Sequence, residues 1–251
     1  MKSRLLYSLA TLLLLTVILI ATLPAKHVIY RINFPHNMGL YDVSGTIWQG
    51  QAVRAVIQGQ VLNQFNWDIS AWHLLTATIS ADVSSSNRAA THINGTFNYH
   101  LLSQTLDLDN MRIALPAEVL FAHAALPVPI IGAGSIVIDV PTGSFDIAQP
   151  MPVCESLTGK GFWREAGVLV STGMVDLGEF TAGINCQNQQ YNLTINEPNA
   201  LGLSALAQGS TPQNLSISGQ FKLPTSLPQD MQRVGQFLGQ PGADGYTSFT
   251  W

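Results

Sequence analysis

The sequence predicts a mainly β protein: a large, curved antiparallel sheet with one short C-terminal helix, preceded by a single N-terminal transmembrane helix. Three observations predict it. Segments of period-two alternation recur through most of the chain, separated by Gly, Asn, Ser and Pro clusters. No long helical pattern intervenes until the C-terminal region, which excludes an alternating βαβ architecture. Residues 5–23, LLYSLATLLLLTVILIATL, form one uncharged apolar run.

The N-terminal run comes first. As a helix it spans about 28 Å, close to the roughly 30 Å hydrocarbon core of a bilayer. Lys2 and Arg4 precede it and Lys26 follows. A cleaved signal peptide also begins with basic residues, but its apolar stretch is shorter. The candidate cut site Leu23-Pro24-Ala25 also places Leu where a small residue is wanted. The run is therefore read as a retained anchor, with residues 1–4 as a cytoplasmic tail and residues 24–251 as an exported domain. The basic flanks partly balance, so this orientation rests chiefly on how little chain precedes the run.

Strands are expected at Ala52 to Gln60, Ala77 to Ser84, Thr91 to His100, Ser135 to Val140, Tyr191 to Ile195 and Leu215 to Leu223. Gly59, Gly95 and Gly219 fall inside them, where glycine marks a bulge, a bend or a close backbone approach, so the sheet is expected to curve. Leu115 to Ile131 holds three prolines and reads as a connector with one helical turn at Ala117 to Ala124. It divides the domain into halves at 40–115 and 132–251. Gly45-Thr46-Ile47-Trp48 before Ala52-Val53 is echoed by Gly161-Phe162-Trp163 before Ala166-Gly167-Val168, which raises the expectation of two related β halves. Near the end, Leu227, Met231, Val234, Phe237 and Leu238 share a helical face between Pro228 and Gly239-Gln240-Pro241. That stripe packs on the sheet or meets a partner.

Composition narrows the function. Only 10% of the chain is charged and 47% is apolar, enough for a substantial core. From Pro24 onward there are nine basic and fifteen acidic residues, a net charge near −6. No basic patch is visible along the sequence, which argues against a nucleic-acid partner. Cys154 and Cys186 are either isolated thiols or, in an exported domain, a disulfide closing a loop of about 33 residues. Such a bridge contributes roughly 3.5–4 kcal/mol. Neither Cys sits in a C-x-x-C or beside a His, so zinc is disfavoured.

No catalytic, cofactor or metal site emerges. There is no G-x-S-x-G, H-E-x-x-H or Walker A sequence, and Gly132-Ala133-Gly134-Ser135 leads into a strand instead of a helix. His92 and His100 lie about 27 Å apart on an extended strand, too far to share a metal. Asp107 and Asp109 share a strand face at about 7 Å, a spacing that suits calcium or acid/base work. They are read instead as a solvated face, with Leu106 and Leu108 turned inward. The sequons at Asn94, Asn192 and Asn214 do not establish a host. The tryptophans Trp48, Trp67, Trp72, Trp163 and Trp251 are read as packing anchors before they are read as ligand platforms.

Several ordered motifs nevertheless carry a resemblance. Val43-Ser44-Gly45-Thr46-Ile47-Trp48-Gln49-Gly50 is followed by Asn66-Trp67-Asp68-Ile69, then Cys154, Gly161-Phe162-Trp163-Arg164-Glu165-Ala166, Leu177-Gly178 and Cys186. Phe237-Leu238-Gly239-Gln240-Pro241 and Asp244-Gly245-Tyr246 close the series. Together with the anchor they resemble the protein N family of the bacterial type II secretion system, over nearly the whole chain. The resemblance implies a single-pass inner-membrane protein with a periplasmic β-rich domain. It would act with other secretion components in exporting folded proteins across the outer membrane. It carries over no active site. A competing reading is a lipid- or hydrophobe-binding module, whose curved sheet resembles AsmA-like periplasmic domains. A third, an exported hydrolase, would use Asp107 or Asp109.

Overall fold

A computed structural model describes residues 2–123, 131–149, 151–211 and 214–251; the side chains of residues 2–6, 123, 230, 234 and 236–238 lie outside that description. Helix α1 (Lys2–Ala21) and the short α2 (Ala25–Ile29) lead into the strands. β1 (Met38–Gly45), β2 (Gln49–Ile57), β3 (Gln60–Ser70), β4 (Thr78–Ser84), β5 (His92–His100) and β6 (Thr105–Pro116) follow. After α3 (Ala117–His123) come β7 (Gly132–Asp146), β8 (Val153–Val170), β9 (Gly173–Gln187), β10 (Gln190–Ile195), β11 (Ser204–Thr211) and β12 (Asn214–Phe221). Helix α4 (Gln229–Leu238) and β13 (Thr247–Thr250) end the chain.

Among the described residues thirteen strands form one sheet in sequence order, and each pair is antiparallel. Tight turns make this possible. Gln58 (φ 51°) and Gly59 (φ 80°) form a two-residue turn joining Ile57 to its partner Gln60, with both residues in the left-handed region that such hairpins require. This corrects the sequence expectation of one strand through Gln60: Gly59 turns the chain and does not bulge it. Gly95 (φ 153°) does sit at a bulge, where the register shifts between Asn94 and Thr96. A Cβ there would lie 2.6 Å from Met111 Cα, so two backbones meet closely. Further register shifts fall in the β7–β8 and β8–β9 ladders, and each bends its strand.

The 115–131 connector does not divide the sheet. β6 runs into its first two residues and β7 starts directly after it, and the two strands pair from Thr105–Asp146 through to Pro116–Ser135. α3 occupies its described part, while Ala124 and residues up to 130 lie outside the described residues. The two Trp-centred echoes are not equivalent either, because Trp48 lies in the β1–β2 turn whereas Trp163 is inside β8.

Three apolar clusters hold the sheet's covering pieces in place. Ala25 and Ile29 of α2 pack on Val43 and Ala52 of the first hairpin, beside Trp67. Val83, Met111 and Val140 anchor a central cluster with Phe97, Leu108 and Leu157. Ala166, Leu177 and Phe180 receive Leu201, Leu203, Leu227 and Met231, so α4 docks on the β8–β9 region. Of the stripe predicted for this helix, Val234, Phe237 and Leu238 lie outside the described side chains.

Helix α1 occupies most of the predicted anchor but ends at Ala21, because Pro24 breaks the helix and bridges to Thr46. Its described side chains, Tyr7 to Ala21, are all exposed. Among the described residues no helix is long and apolar enough to cross a membrane, so the predicted span is not established by the structure.

Candidate functional site

Alternation along strands becomes two chemically distinct faces once the register is fixed. One polar row crosses eleven strands. It starts at Gln49 on β2 and continues through Asp68, Asp82, Thr96 and Asp109. Thr142, Thr158 and Asn185 follow, then Asn192, Gln208 and Ser216 on β12. At about 4.8 Å per strand the row runs roughly 48 Å. Its members bond sideways: Gln49 Nε2 donates to Asp68 Oδ2 (2.9 Å), the Thr96 hydroxyl to Asp82, and Gln208 Nε2 to Asn192 Oδ1 (2.7 Å). Asn192, a sequon residue, is thus engaged on the sheet, and its Nδ2 also donates to Asn185.

Asp107 and Asp109 lie on this polar face while Leu108 enters the apolar cluster. Asp109 accepts from Asn98 Nδ2 at 2.9 Å. Asp107 accepts from Ser144 Oγ at 2.7 Å and contacts His100 Nε2 at 3.0 Å, and His100 Nδ1 lies 3.1 Å from Thr78 Oγ1. A hydroxyl, an imidazole and a carboxylate in series look like an activated nucleophile. The surroundings point elsewhere. Thr78 is 7% exposed, leaving its hydroxyl little access to a substrate. The network runs across β4, β5, β6 and β7, so what it does is hold four strands in register.

His92 and His100 do not converge. His92 Nδ1 lies 3.3 Å from Ala89 O, at the opposite end of β5 from His100. Among the described residues no group of three or more His, Cys, Asp or Glu is placed to hold a metal ion. Cys154 on β8 and Cys186 on β9 are joined as a disulfide with Cα atoms 6.4 Å apart, and both are buried. Among the tryptophans, Trp67 donates Nε1 to Ile47 O, and its ring leaves no space for a Cβ on Gly50. Trp163 sits between Phe121 and Phe180, with ring centroids 5.0 and 5.4 Å away. Trp72 is 80% exposed.

Two tyrosines have perturbed phenols. Burial pushes Tyr191 up. The Glu197 carboxylate raises Tyr246, whose hydroxyl donates to Glu197 Oε2 at 3.4 Å. Sequence reading found no basic cluster, yet the structure brings Arg88, Arg112 and Arg164 around one cavity on the polar side. Only the strand pairing reveals it.

The opposite face is apolar from Trp67 on β3 to Leu157 on β8, and among the described residues no second sheet covers it. Two chemically distinct faces, one of them carrying the arginine-lined cavity, distinguish the described part of this fold.

Comparison with known proteins gives this surface-bearing sheet a family. The family profile described as type II secretion system (T2SS), protein N, matches residues 36–250, which is the entire sheet. Type II secretion system protein N of Vibrio cholerae serotype O1 is 25% identical over 228 residues, covering 90% of this chain and 89% of its own. The protein of the same name from Aeromonas hydrophila is 24% identical over 229 residues, covering 90% and 89%. That of Pectobacterium carotovorum is 22% identical over 246 residues, covering 98% and 95%. No solved structure matches the chain at a significant level. With a profile match spanning every strand and full-length relatives of one name, the chain belongs to the type II secretion system protein N family.

Proposed function

We propose that this chain is an accessory inner-membrane component of a type II secretion system, acting on the export of folded proteins through contacts with other secretion proteins. In this reading α1 tethers the sheet at the periplasmic side of the inner membrane. The observation that carries it is the family match over the whole sheet. The junction with α1 supports the tether. Trp48 Nε1 donates to Ile20 O at 2.9 Å and Ile47 N to Leu23 O at 3.0 Å, so the helix end is bonded to the first hairpin. Along α1 the hydroxyls of Thr11 and Thr16 donate to the carbonyls of Tyr7 and Leu12, and Thr22 just past its end donates to Ile18 O, satisfying polar groups as a lipid surrounding requires.

The test is a chromosomal deletion combined with crosslinking of the tagged full-length protein in cells. Export should fall, and secretion components should appear in the crosslinked material. Normal exoprotein export together with no such crosslinks would sink the reading. The apolar face of β3–β8, which no second sheet covers among the described residues, favours a second reading, in which the sheet holds a lipid or another hydrophobe. Stoichiometric phospholipid in organic extracts of the purified protein would favour it, and lipid-free protein would remove it.

A further inference from the structure

On the polar side of the sheet, a cavity of about 1000 Å³ opens between β5–β8 and the β4–β5 loop that folds back over them. The loop is fixed in place: Ser86 N donates to Asn63 O at 2.8 Å and Ser85 N to Ile93 O at 2.9 Å. Three arginines line the space. Arg88 comes from the loop, Arg112 from β6 and Arg164 from β8. Only nine basic residues follow Pro24 in a domain that is acidic overall, so three around one cavity is a marked concentration. No carboxylate is among the described lining residues.

Each arginine retains donors for a ligand. Arg88 is exposed and has no ion-pair partner among the described residues. Arg164 faces Glu179 at 3.9 Å, an exposed pairing that holds its guanidinium weakly. Arg112 is paired more firmly, with Nε and Nη2 on Asp139 at 2.7 and 3.0 Å, which uses only part of its donor set. Neutral donors surround them. Ser85 Oγ accepts from Ile93 N, so its own proton is available to donate, and Asn94 and Ser135 also line the wall.

Register sets the spacing. Arg112 pairs with Asp139 and Arg164 with Ser135, on opposite sides of β7 and on the same face. Four residues along the strand and two strand widths across put their Cα atoms about 16 Å apart. Two arginines at that spacing suit a ligand with more than one anionic group. Phosphate oxygens match the planar guanidinium fork.

We propose that this cavity binds a ligand carrying two or more phosphate groups, either a free phosphate compound or a lipid headgroup. The assay is calorimetric titration of the full chain in neutral detergent at low ionic strength. Inorganic pyrophosphate and cardiolipin in mixed micelles are the probes, with phosphatidylcholine as the zwitterionic control. Saturable binding is expected, weakened at least about tenfold in R88Q/R164Q and progressively by added salt, because charge-assisted bonds are lost or screened. R88K tests whether the fork geometry matters as well as the charge, and it should bind more weakly than wild type. Pyrophosphate binding equal to or tighter than cardiolipin assigns the site to a free compound, and tighter cardiolipin assigns it to a headgroup. No binding of either probe overturns the proposal. So does binding that R88Q/R164Q leaves unchanged, or equal uptake of cardiolipin and phosphatidylcholine without pyrophosphate. An unchanged thermal midpoint in the variants shows that the fold persists, since Arg88 and Arg164 are exposed.

Discussion

Removing the Cys154–Cys186 bridge is the sharpest test of how this sheet is held. The two residues are 32 positions apart and link β8 to β9, strands of 18 and 15 residues. Closing a loop of about 33 residues removes roughly 3.7 kcal/mol of entropy from the unfolded chain. Both residues are at most 1% exposed, so truncation to Ala also removes two buried sulfurs, at a cost of about 1–2 kcal/mol. C154A/C186A should therefore lose about 4–6 kcal/mol. The assay is equilibrium urea unfolding of the full chain in detergent, followed by tryptophan fluorescence. With a urea dependence of about 3 kcal/mol/M, the midpoint falls by about 1–2 M. Reductant alone, which spares the packing, should produce most of the shift. Each single variant should already show the entropic loss in full, so the double variant should be clearly less destabilised than the two singles summed. Equal midpoints for oxidised and reduced wild type, or strictly additive single variants, would refute the reasoning. Either would mean that the unfolded chain already keeps β8 and β9 together, or that the sulfurs do not act as one crosslink.

Two further outcomes follow from packing. At Gly50 a Cβ would lie 2.2 Å from Trp67 Cζ2 and 2.9 Å from Thr46 O, so G50A should lower stability by about 1–3 kcal/mol. At Gly161 the nearest atom is at 3.7 Å, so G161A should stay within about 0.5 kcal/mol, and thermal melts of the pair check the contrast. Trp163 joins Phe121 and Phe180 and donates Nε1 to Ala133 O at 2.8 Å. W163A should cost about 3–5 kcal/mol and release α3, read as faster proteolysis near residues 117–123.

What the sequence disclosed follows from how far each signal depends on pairing. Strong local alternation made β4, β5 and β10 legible. β8 escaped because its ladders carry several register shifts, two of them around Glu165 (φ 49°), so its apolar positions drift out of period two. Gly59 was misplaced because Gln58-Gly59 lacks the Asn-Gly or Asp-Gly that advertises such a turn. The prolines of the connector hid the fact that β6 and β7 pair on either side of it. The polar row and the arginine cavity were invisible for a different reason. Their members come from separate strands, and only register joins Arg112 to the neighbourhood of Arg164. The cysteine pair was legible because an even count in a chain read as exported carries its own implication.

The topology also constrains where this protein can act. Every strand pairs with its neighbours in sequence, so the sheet has no crossover and no switch-point crevice of the kind that gathers substrates in α/β enzymes. Its outer edges are poor templates for adding strands. β13 has only four residues, and Asp42 at φ 54° interrupts the extended backbone of β1. Recognition is thereby displaced from the edges to the faces. Those faces are chemically opposite, one hydrogen-bonded and carrying a cationic cavity, the other apolar and covered near the α2, α3 and α4 contacts. A sheet bonded to α1's end at its first hairpin can present the two faces to different neighbours at once. A mutation that disables one face and spares the other should separate the protein's contacts into two classes. If R88Q/R164Q and an apolar-face change such as Phe97→Ser removed the same crosslinked partners, the two faces would not act independently.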